Sequence, residues 1–428
     1  MATNRFFRHD DPREASGRDI IFIGNFFPPG VLKNIRQDQK ATGFSNHNFE
    51  SSILDGLNET IISHPEIDVE VICIPRLYSY PHHNRRLWIP SEYYRRGELT
   101  VRSVSIFNLV VINKIWVGCA LFSQLCAASW RRWRRRGDCQ PKRPTEVILN
   151  IPTAYLELPL LIWKSLFSRR SRTTLIIPDI PQMVSAINHL TTRSLRGRLV
   201  SWFDSLSMRL ASRFNRFVFL TDAMKEFFKG EREYIVMEGI SSSDNNPSAG
   251  ETQSGNRSLL YSGTLASAFG ILDLLEGFEM ARIEGVELWI CGSGETEGII
   301  REAEKRNPAI KFFGLVDSAT ARRLQAEATV LVNPRTSAGE FTRYSFPSKI
   351  LEYMQAGKPV IMHPLPGIPQ EYLDIACLPE TETPRGLAEE IRRVFSMSDS
   401  ERAELGRRGR ELALSKSAPM QVARILGL

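Results

Sequence analysis

The segment from Val330 to Ile361 reads VLVNPRTSAGEFTRYSFPSKILEYMQAGKPVI: a short apolar run, a long polar loop, an amphipathic stretch and a second apolar run. The first strand ends at Val332. Pro347 takes the expected first helical position, where its missing N–H costs nothing, and the helix stops before Gly357 and Pro359. A strand that returns to a strand through a helix is the parallel βαβ unit. The helix N-terminus gathers Ser345, Ser348 and Lys349, so free N–H groups, hydroxyls and one ammonium converge where a diphosphate would sit. Glu352 lies one turn beyond Ser348 on the same face, within reach of ribose hydroxyls, while Ile350, Leu351 and Met354 take the buried side. Periodicity alone equally allows an ordinary capped helix with a structural glutamate.

The same alternation extends in both directions. Strands are expected at Leu259–Ser262, Glu287–Cys291, Ile310–Phe313, Val360–Met362 and Ala376–Leu378 around this unit, and Asp399–Leu414 is a strong helix former. Towards the N-terminus they are expected at Ile20–Ile23, Val69–Ile74, Val147–Asn150, Thr174–Ile177, Phe217–Leu220 and Tyr234–Met237. Between the two series, Ser241–Asn256 (SSSDNNPSAGETQSGN) is the most polar, turn-rich stretch of the chain. The expected organisation is α/β, with two doubly wound Rossmann-like domains facing across a cleft: residues 1–240, a linker at 241–256, and residues 257–428. Ligands bind such sheets at the carboxyl ends of the strands, so each domain is expected to hold one substrate.

The Tyr344–Ile361 segment resembles the donor-site signature of retaining glycosyltransferase family 4. There, a glutamate, seven intervening residues and a second glutamate precede a small-residue-Gly-x-Pro-Val-Ile run. Glu352 and Gln355–Ile361 match the second half; Tyr344 stands where the first glutamate would, and Phe346-Pro347 replaces the family's Phe-Gly. The Tyr-Ser-Phe-Pro-Ser-Lys variant resembles a branch of bacterial exopolysaccharide and capsule enzymes. Leu260–Leu265 is similar to the first strand and glycine turn of the family's C-terminal domain, with Gly263 and Thr264 at the donor. Ala266-Ser267-Ala268-Phe269 stands in place of the family's basic pair. Leu288–Glu295 resembles the next strand and glycine turn, with Gly292 and Gly294, and Phe312–Val316 the loop whose Leu315 and Val316 read the base. In the N-terminal half, Gly24, Asn25 and Gly30 fall in the family's acceptor loop. Asn46 and His47 are expected just before the first long helix, and Asp179 follows a strand where the family has His-Asp.

The resemblance implies the GT-B fold and transfer of a sugar from a nucleotide diphosphate sugar to a lipid-linked or polysaccharide acceptor, with retention of configuration. Lys349, Asp179 and Glu340 are the candidate catalytic groups, Glu340 or Tyr344 standing in for the first glutamate. Tyr344, Ser345, Phe346, Ser348 and Glu352 complete the donor set. The nucleotide sugar is a co-substrate, and neither metal nor cofactor is expected: no Asp-x-Asp, Walker-type loop or Cys-x-x-Cys pair occurs, and His82-His83 has no partners at ligand spacing. A sugar-nucleotide epimerase or phosphorylase of the same fold, or a silent binding subunit, is the alternative.

Of 428 residues 42% are hydrophobic and 24% charged, enough for a full core and more than one domain. Scattered cysteines and the polar Met1–Arg18 fit a cytoplasmic protein. Between Ala127 and Arg172 eleven basic residues face three acidic ones, with greasy stretches on either side. That pattern favours an anionic membrane surface over nucleic acid, with attachment expected at the inner face of the cytoplasmic membrane through Arg131–Arg136. Lys114, Asn108, Asn113 and Gln124 interrupt Ile106–Trp130 and favour a packed helix over a membrane span.

Overall fold

The computed structural model describes residues 17–33, 37–75, 86–109, 112–136, 143–183, 195–241 and 257–428. His82-His83 and residues 242–256 of the expected linker lie outside them. The chain divides into two compact units, one comprising residues 1–177, 184–218 and 230–234, the other 178–183, 219–229 and 235–428.

The first unit is built on β1 (Asp19–Gly24), β2 (Asp68–Cys73), β4 (Tyr93–Arg96), β5 (Leu99–Ser103), β7 (Thr145–Asn150), β8 (Arg172–Ile177), β9 (Arg216–Phe219) and β10 (Glu233–Val236). They form one sheet in the order β10-β9-β8-β7-β1-β2-β5-β4. Its centre is parallel, and β1 is buried along its full length. Burial on both faces is why its strands read as continuous apolar runs without alternation. A short antiparallel pair, β3 (Trp88–Ile89) with β6 (Ile106–Phe107), and the β4–β5 hairpin were not expected from sequence; each is too short or too polar to stand out. The greasy stretch expected as one packed helix starts as β6, and the helix described within it runs from Ile112. Helices α1 (Pro29–Leu32), α2 (Gln37–Ser63), α3 (Ile112–Arg136), α4 (Ala154–Phe167) and α5 (Leu195–Ala211) complete the unit, and α4 packs against both α3 and α5.

The second unit has a five-stranded, wholly parallel sheet in the order β13-β12-β11-β14-β15. Its strands are β11 (Arg257–Ser262), β12 (Val286–Cys291), β13 (Ile310–Gly314), β14 (Val330–Asn333) and β15 (Val360–Met362). Residues 376–378 do not form the expected strand; Cys377 makes a single bridge to Ile361. Around the sheet lie α6 (Ile271–Ala281), α7 (Glu297–Arg306), α8 (Ser318–Glu327), α9 (Lys349–Gln355), α10 (Gln370–Leu373), α11 (Pro384–Ser396), α12 (Asp399–Ser415) and α13 (Ala418–Leu426). Leu274 and Phe278 of α6 share a core with Leu387 and Ile391 of α11, each such burial worth about 1.5–3 kcal/mol. Strand order runs outward one way from β11 through β12 to β13, and the other way through β14 to β15. The switch point therefore lies between β11 and β14, where open parallel sheets form their ligand crevice.

Two polar contacts fix these frames. The fully buried Tyr353 hydroxyl of α9 accepts from the Ser262 N–H at 2.8 Å and donates to the Ser262 carbonyl at 3.0 Å. In the first unit Glu157 of α4 is fully buried, accepts from Ser207 of α5 at 2.7 Å, and has its carboxyl pushed up to about 8 by burial.

Tyr353→Phe leaves a buried N–H and carbonyl short of a partner and should cost about 1–3 kcal/mol in urea denaturation, with an unchanged m-value. Glu157 holds its proton in the fold at pH values where the unfolded chain has lost it. Its contribution is therefore complete below the unfolded carboxyl pKa and disappears as pH rises through about 8. Stability should fall by on the order of 5 kcal/mol across that window, and Glu157→Gln should flatten the slope.

Candidate active site

Among the second unit's strand ends, the turns after β11 and β12 lock together through backbone. Gly263 donates to the Cys291 carbonyl at 3.0 Å and Leu265 to the Ser293 carbonyl at 2.9 Å. Gly292 has φ 146°, and a Cβ there would lie 1.8 Å from the Gly263 carbonyl oxygen, so only glycine allows the turns to meet. Gly294 is likewise pressed against the Leu265 backbone. These two glycines shape the β11 turn from behind, leaving Thr264 exposed at its tip. After β13, Leu315 is 67% exposed and Val316 half-buried.

The loop after β14 carries the charge. Arg335 is only 8% exposed, its guanidinium 4.6 Å from the ring centre of Phe341 and 5.5 Å from that of Phe269. Its Nη2 donates to Ser345 Oγ at 2.8 Å, and its Nε has no partner among the described residues. Burial lowers its pKa to about 10, while Asp179 and Tyr261 oppose the shift. Asp179 is exposed by area, yet protein crowds its carboxyl closely enough that desolvation raises it to about 6, against the opposing pull of Arg335. Sequence reasoning passed over Arg335. The signal available was a basic residue two positions after a strand end, in a chain lacking basic residues after Gly263.

Helix α9 begins at Lys349, two residues later than the expected first helical position at Pro347. Lys349 Nζ lies 2.6 Å from Glu352 Oε2, so the two side chains assigned to diphosphate and ribose hold each other. Ser348 is exposed, and its side chain caps nothing. Tyr344 is buried; its ring meets Phe227 edge-on at 4.8 Å and its hydroxyl donates to Glu226 at 3.2 Å. Glu340 opens the short 3-10 turn Glu340–Tyr344, exposed and without a hydrogen bond or ion pair among the described residues. Phe346 packs on Tyr372 at 5.1 Å and belongs to the core.

In the first unit Gly24 abuts the buried Glu50 carboxylate, and Gly30 donates to Glu92 at 3.0 Å. Asn46 and His47 lie inside α2, nine and ten residues after Gln37, not before the first long helix as expected. His47 Nδ1 accepts from the Phe27 N–H at 3.3 Å; burial, then Arg96, lowers its pKa. Asn25 is buried, and its amide donates to the Asn150 carbonyl at 3.4 Å. Asn25 Oδ1 and both amide atoms of Asn150 have no partner among the described residues. The next residue, Ile151, has φ 69°, a strained conformation for a β-branched side chain. Neither Asn150 nor Ile151 stands out in sequence, because strain and an unpaired amide are properties of the fold.

Residues 256–397 match the family model described as Glycosyl transferases group 1. None of the curated proteins matches the sequence. Among solved structures the chain is similar to an α,α-trehalose-phosphate synthase (UDP-forming) from Burkholderia xenovorans in complex with glucose-6-phosphate. Identity there is 11% and the TM-score 0.60, over 96% of this chain and 99% of that one. It is also similar to sucrose-phosphate synthase from Thermosynechococcus elongatus (14%, TM-score 0.53, covering 96% and 97%). A third is a TarM variant of S. aureus in complex with fondaparinux, alpha-GlcNAc-glycerol and UDP (11%, TM-score 0.53, covering 95% and 98%). At such identities the likeness is one of fold. The chain thus has the GT-B fold, and residues 256–397, which contain the β11 turn and the Arg335 loop, match a group 1 glycosyltransferase domain.

Proposed function

We propose that the protein transfers a sugar from a nucleotide diphosphate sugar to a hydroxyl of a lipid-linked or polysaccharide acceptor, with retention of configuration and without a metal. The observation that carries this reading is Arg335: a desolvated cation with an unsatisfied Nε, at the end of one of the two strands that flank the switch point, inside the segment that matches the glycosyltransferase model.

In the reaction the bond between the anomeric carbon and the diphosphate oxygen breaks, and the acceptor oxygen bonds to that carbon on the same face. The acceptor proton goes to the departing phosphate oxygen. Negative charge grows on the diphosphate, so fixed cations in a poorly hydrated site stabilise the transition state more than the ground state. Arg335 needs no reorganisation to do this, because Ser345 and two rings already hold it. Lys349 must exchange Glu352 for the phosphate, and that exchange frees Glu352 to accept from ribose hydroxyls. Glu340, exposed and unengaged, is better placed than Tyr344 to read sugar hydroxyls, since the Tyr344 hydroxyl is spent on Glu226. Asp179 supplies a carboxyl near neutrality beside Arg335. The acceptor side of the reading rests on the first unit, where Asn25 and Asn150 carry unpaired amide atoms.

A screen of nucleoside diphosphates and their sugars by thermal stabilisation should find a ligand that adds about 2.7 kcal/mol at a hundred times its Kd. If none stabilises the protein, the reading fails. With the donor found, Arg335→Gln and Lys349→Ala should each lower kcat/KM by about 10–100-fold, the loss of one charge-assisted hydrogen bond of roughly 1.5–3 kcal/mol. Wild-type kinetics in both variants would remove these residues from the site. For sugar selectivity, Glu340→Ala should shift the preference among donors sharing one base while Tyr344→Phe leaves it unchanged; the reverse pattern gives the role to Tyr344.

A further inference from the structure

The arginine cluster of α3 does not form the free basic patch that its sequence suggests. Arg131 pairs with Glu70, Arg135 with Asp68 at 3.1 Å, and Arg132 is buried, donating to the Ile20 carbonyl at 2.9 Å beside Asp19. These arginines tie α3 to β1 and β2. What α3 turns outward is apolar. Its inner face buries Val117, Leu121, Leu125 and Ala128, whereas Ile115 is 66% exposed and Trp133 55%. Those two are eighteen residues apart, about five full turns, and so share one side of the helix. Ile112 (48%) and Trp130 (60%) repeat the same spacing one step away.

The neighbouring helices continue this surface. Phe122 of α3 meets Phe167 of α4 at 6.2 Å between ring centres, and Lys114 Nζ of α3 lies 5.5 Å from the ring centre of Phe203 on α5. Leu166 and Phe167 are 66% and 60% exposed, and Trp202 58%. Monomeric soluble proteins rarely leave so continuous an apolar surface uncovered. The indole N–H groups of Trp130, Trp133 and Trp202 have no hydrogen-bond partner among the described residues.

Charge on these helices has one sign outside. Lys114, Arg134, Arg169, Arg170, Arg198 and Arg209 are exposed, while α3 contains no acidic residue and the Glu157 of α4 is buried. On α5 Asp204 is half-buried, and Arg198, Trp202 and Arg209 line a hollow of about 540 Å³. Exposed aromatics, aliphatics between them and a rim whose fully exposed charges on these helices are all basic match the interface of an anionic bilayer. No described helix is long and apolar enough to cross a membrane.

The geometry points to the outward layer of α3, α4 and α5 as a membrane-docking face that lies in the headgroup region of an anionic bilayer. For its purpose the inference rests on the lipid-linked acceptor of the proposed function, which must be met at a membrane surface; its test does not depend on catalysis.

The full chain should co-sediment with vesicles of phosphatidylcholine mixed with phosphatidylglycerol. Its binding should be weaker to phosphatidylcholine alone, and weaker at high salt, where screening shortens to about 3 Å at 1 M. Trp130→Ser with Trp133→Ser, and separately Leu166→Ser with Phe167→Ser, should each reduce binding about tenfold or more, at unchanged helical content and with stabilisation by the donor nucleotide retained. Two pairs on different helices keep the test meaningful if one destabilises the fold. Wild type that stays in solution with both vesicle types overturns the inference. So does a dimer that these substitutions dissociate, since a second copy then covers the face. Absence of any nucleotide ligand, by contrast, defeats the proposed function and leaves vesicle binding standing.

Discussion

The second unit depends on one phenol. β14 pairs with β11 at Leu259 and Leu260, so the backbone N–H and carbonyl of Ser262, beyond the stretch paired with β14, take their hydrogen bonds from Tyr353. That contact fastens α9 to the end of the central strand, and with it the positions of Ser348, Lys349 and Glu352. Gln325 of α8 reaches the Ser262 hydroxyl at 3.0 Å and closes the same corner from another side. A buried hydroxyl that satisfies both the N–H and the carbonyl of one residue orients a helix more sharply than apolar packing, which tolerates sliding.

On this frame the loops of the switch point are brought together by absence of side chain as much as by attraction. Gly270, at φ 77°, begins α6, and a Cβ there would stand 2.1 Å from the Pro334 carbonyl oxygen. Only glycine lets the exit of β14 lie against the start of α6, and that approach sets the Arg335 guanidinium by the ring of Phe269. The chain thereby places a cation from β14 next to the loop in which the resemblance expects basic residues and this sequence has none. Holding a guanidinium there costs desolvation, visible in its lowered pKa, and the two rings and Ser345 offset part of it.

The first unit treats charge the opposite way. Arg131, Arg132 and Arg135 are spent on carboxylates of β1 and β2, and the surface of their helix is left to tryptophan and isoleucine. An ion pair as buried as Arg132 with Asp19 is weak evidence for stability, since desolvating both charges uses up most of their attraction. It does fix which side of α3 faces the sheet, and so which side is left outside.

The sequence by itself determined the parallel architecture, because strands buried on both faces must be continuously apolar and the helices between them must carry an apolar stripe. Each expected strand but that at 376–378 appears. It also located the loop after Val332, since Pro347, Gly357 and Pro359 punctuate the chain by local sterics. What it could not supply was pairing at a distance. That Lys349 holds Glu352, that Tyr344 spends its hydroxyl on Glu226, that Asn150 is left with unpaired amide atoms and that Ile151 is strained all depend on residues remote in sequence or on backbone geometry. Arg335 and the arginines of α3 make the same point from opposite ends. One basic residue in an unremarkable loop is buried against aromatic rings with an unsatisfied nitrogen, while three arginines of a conspicuous cluster, Arg131, Arg132 and Arg135, are paired with carboxylates. Only the tertiary structure decides which charges meet, because the energy of a charge is set by its surroundings, and local sequence does not contain them.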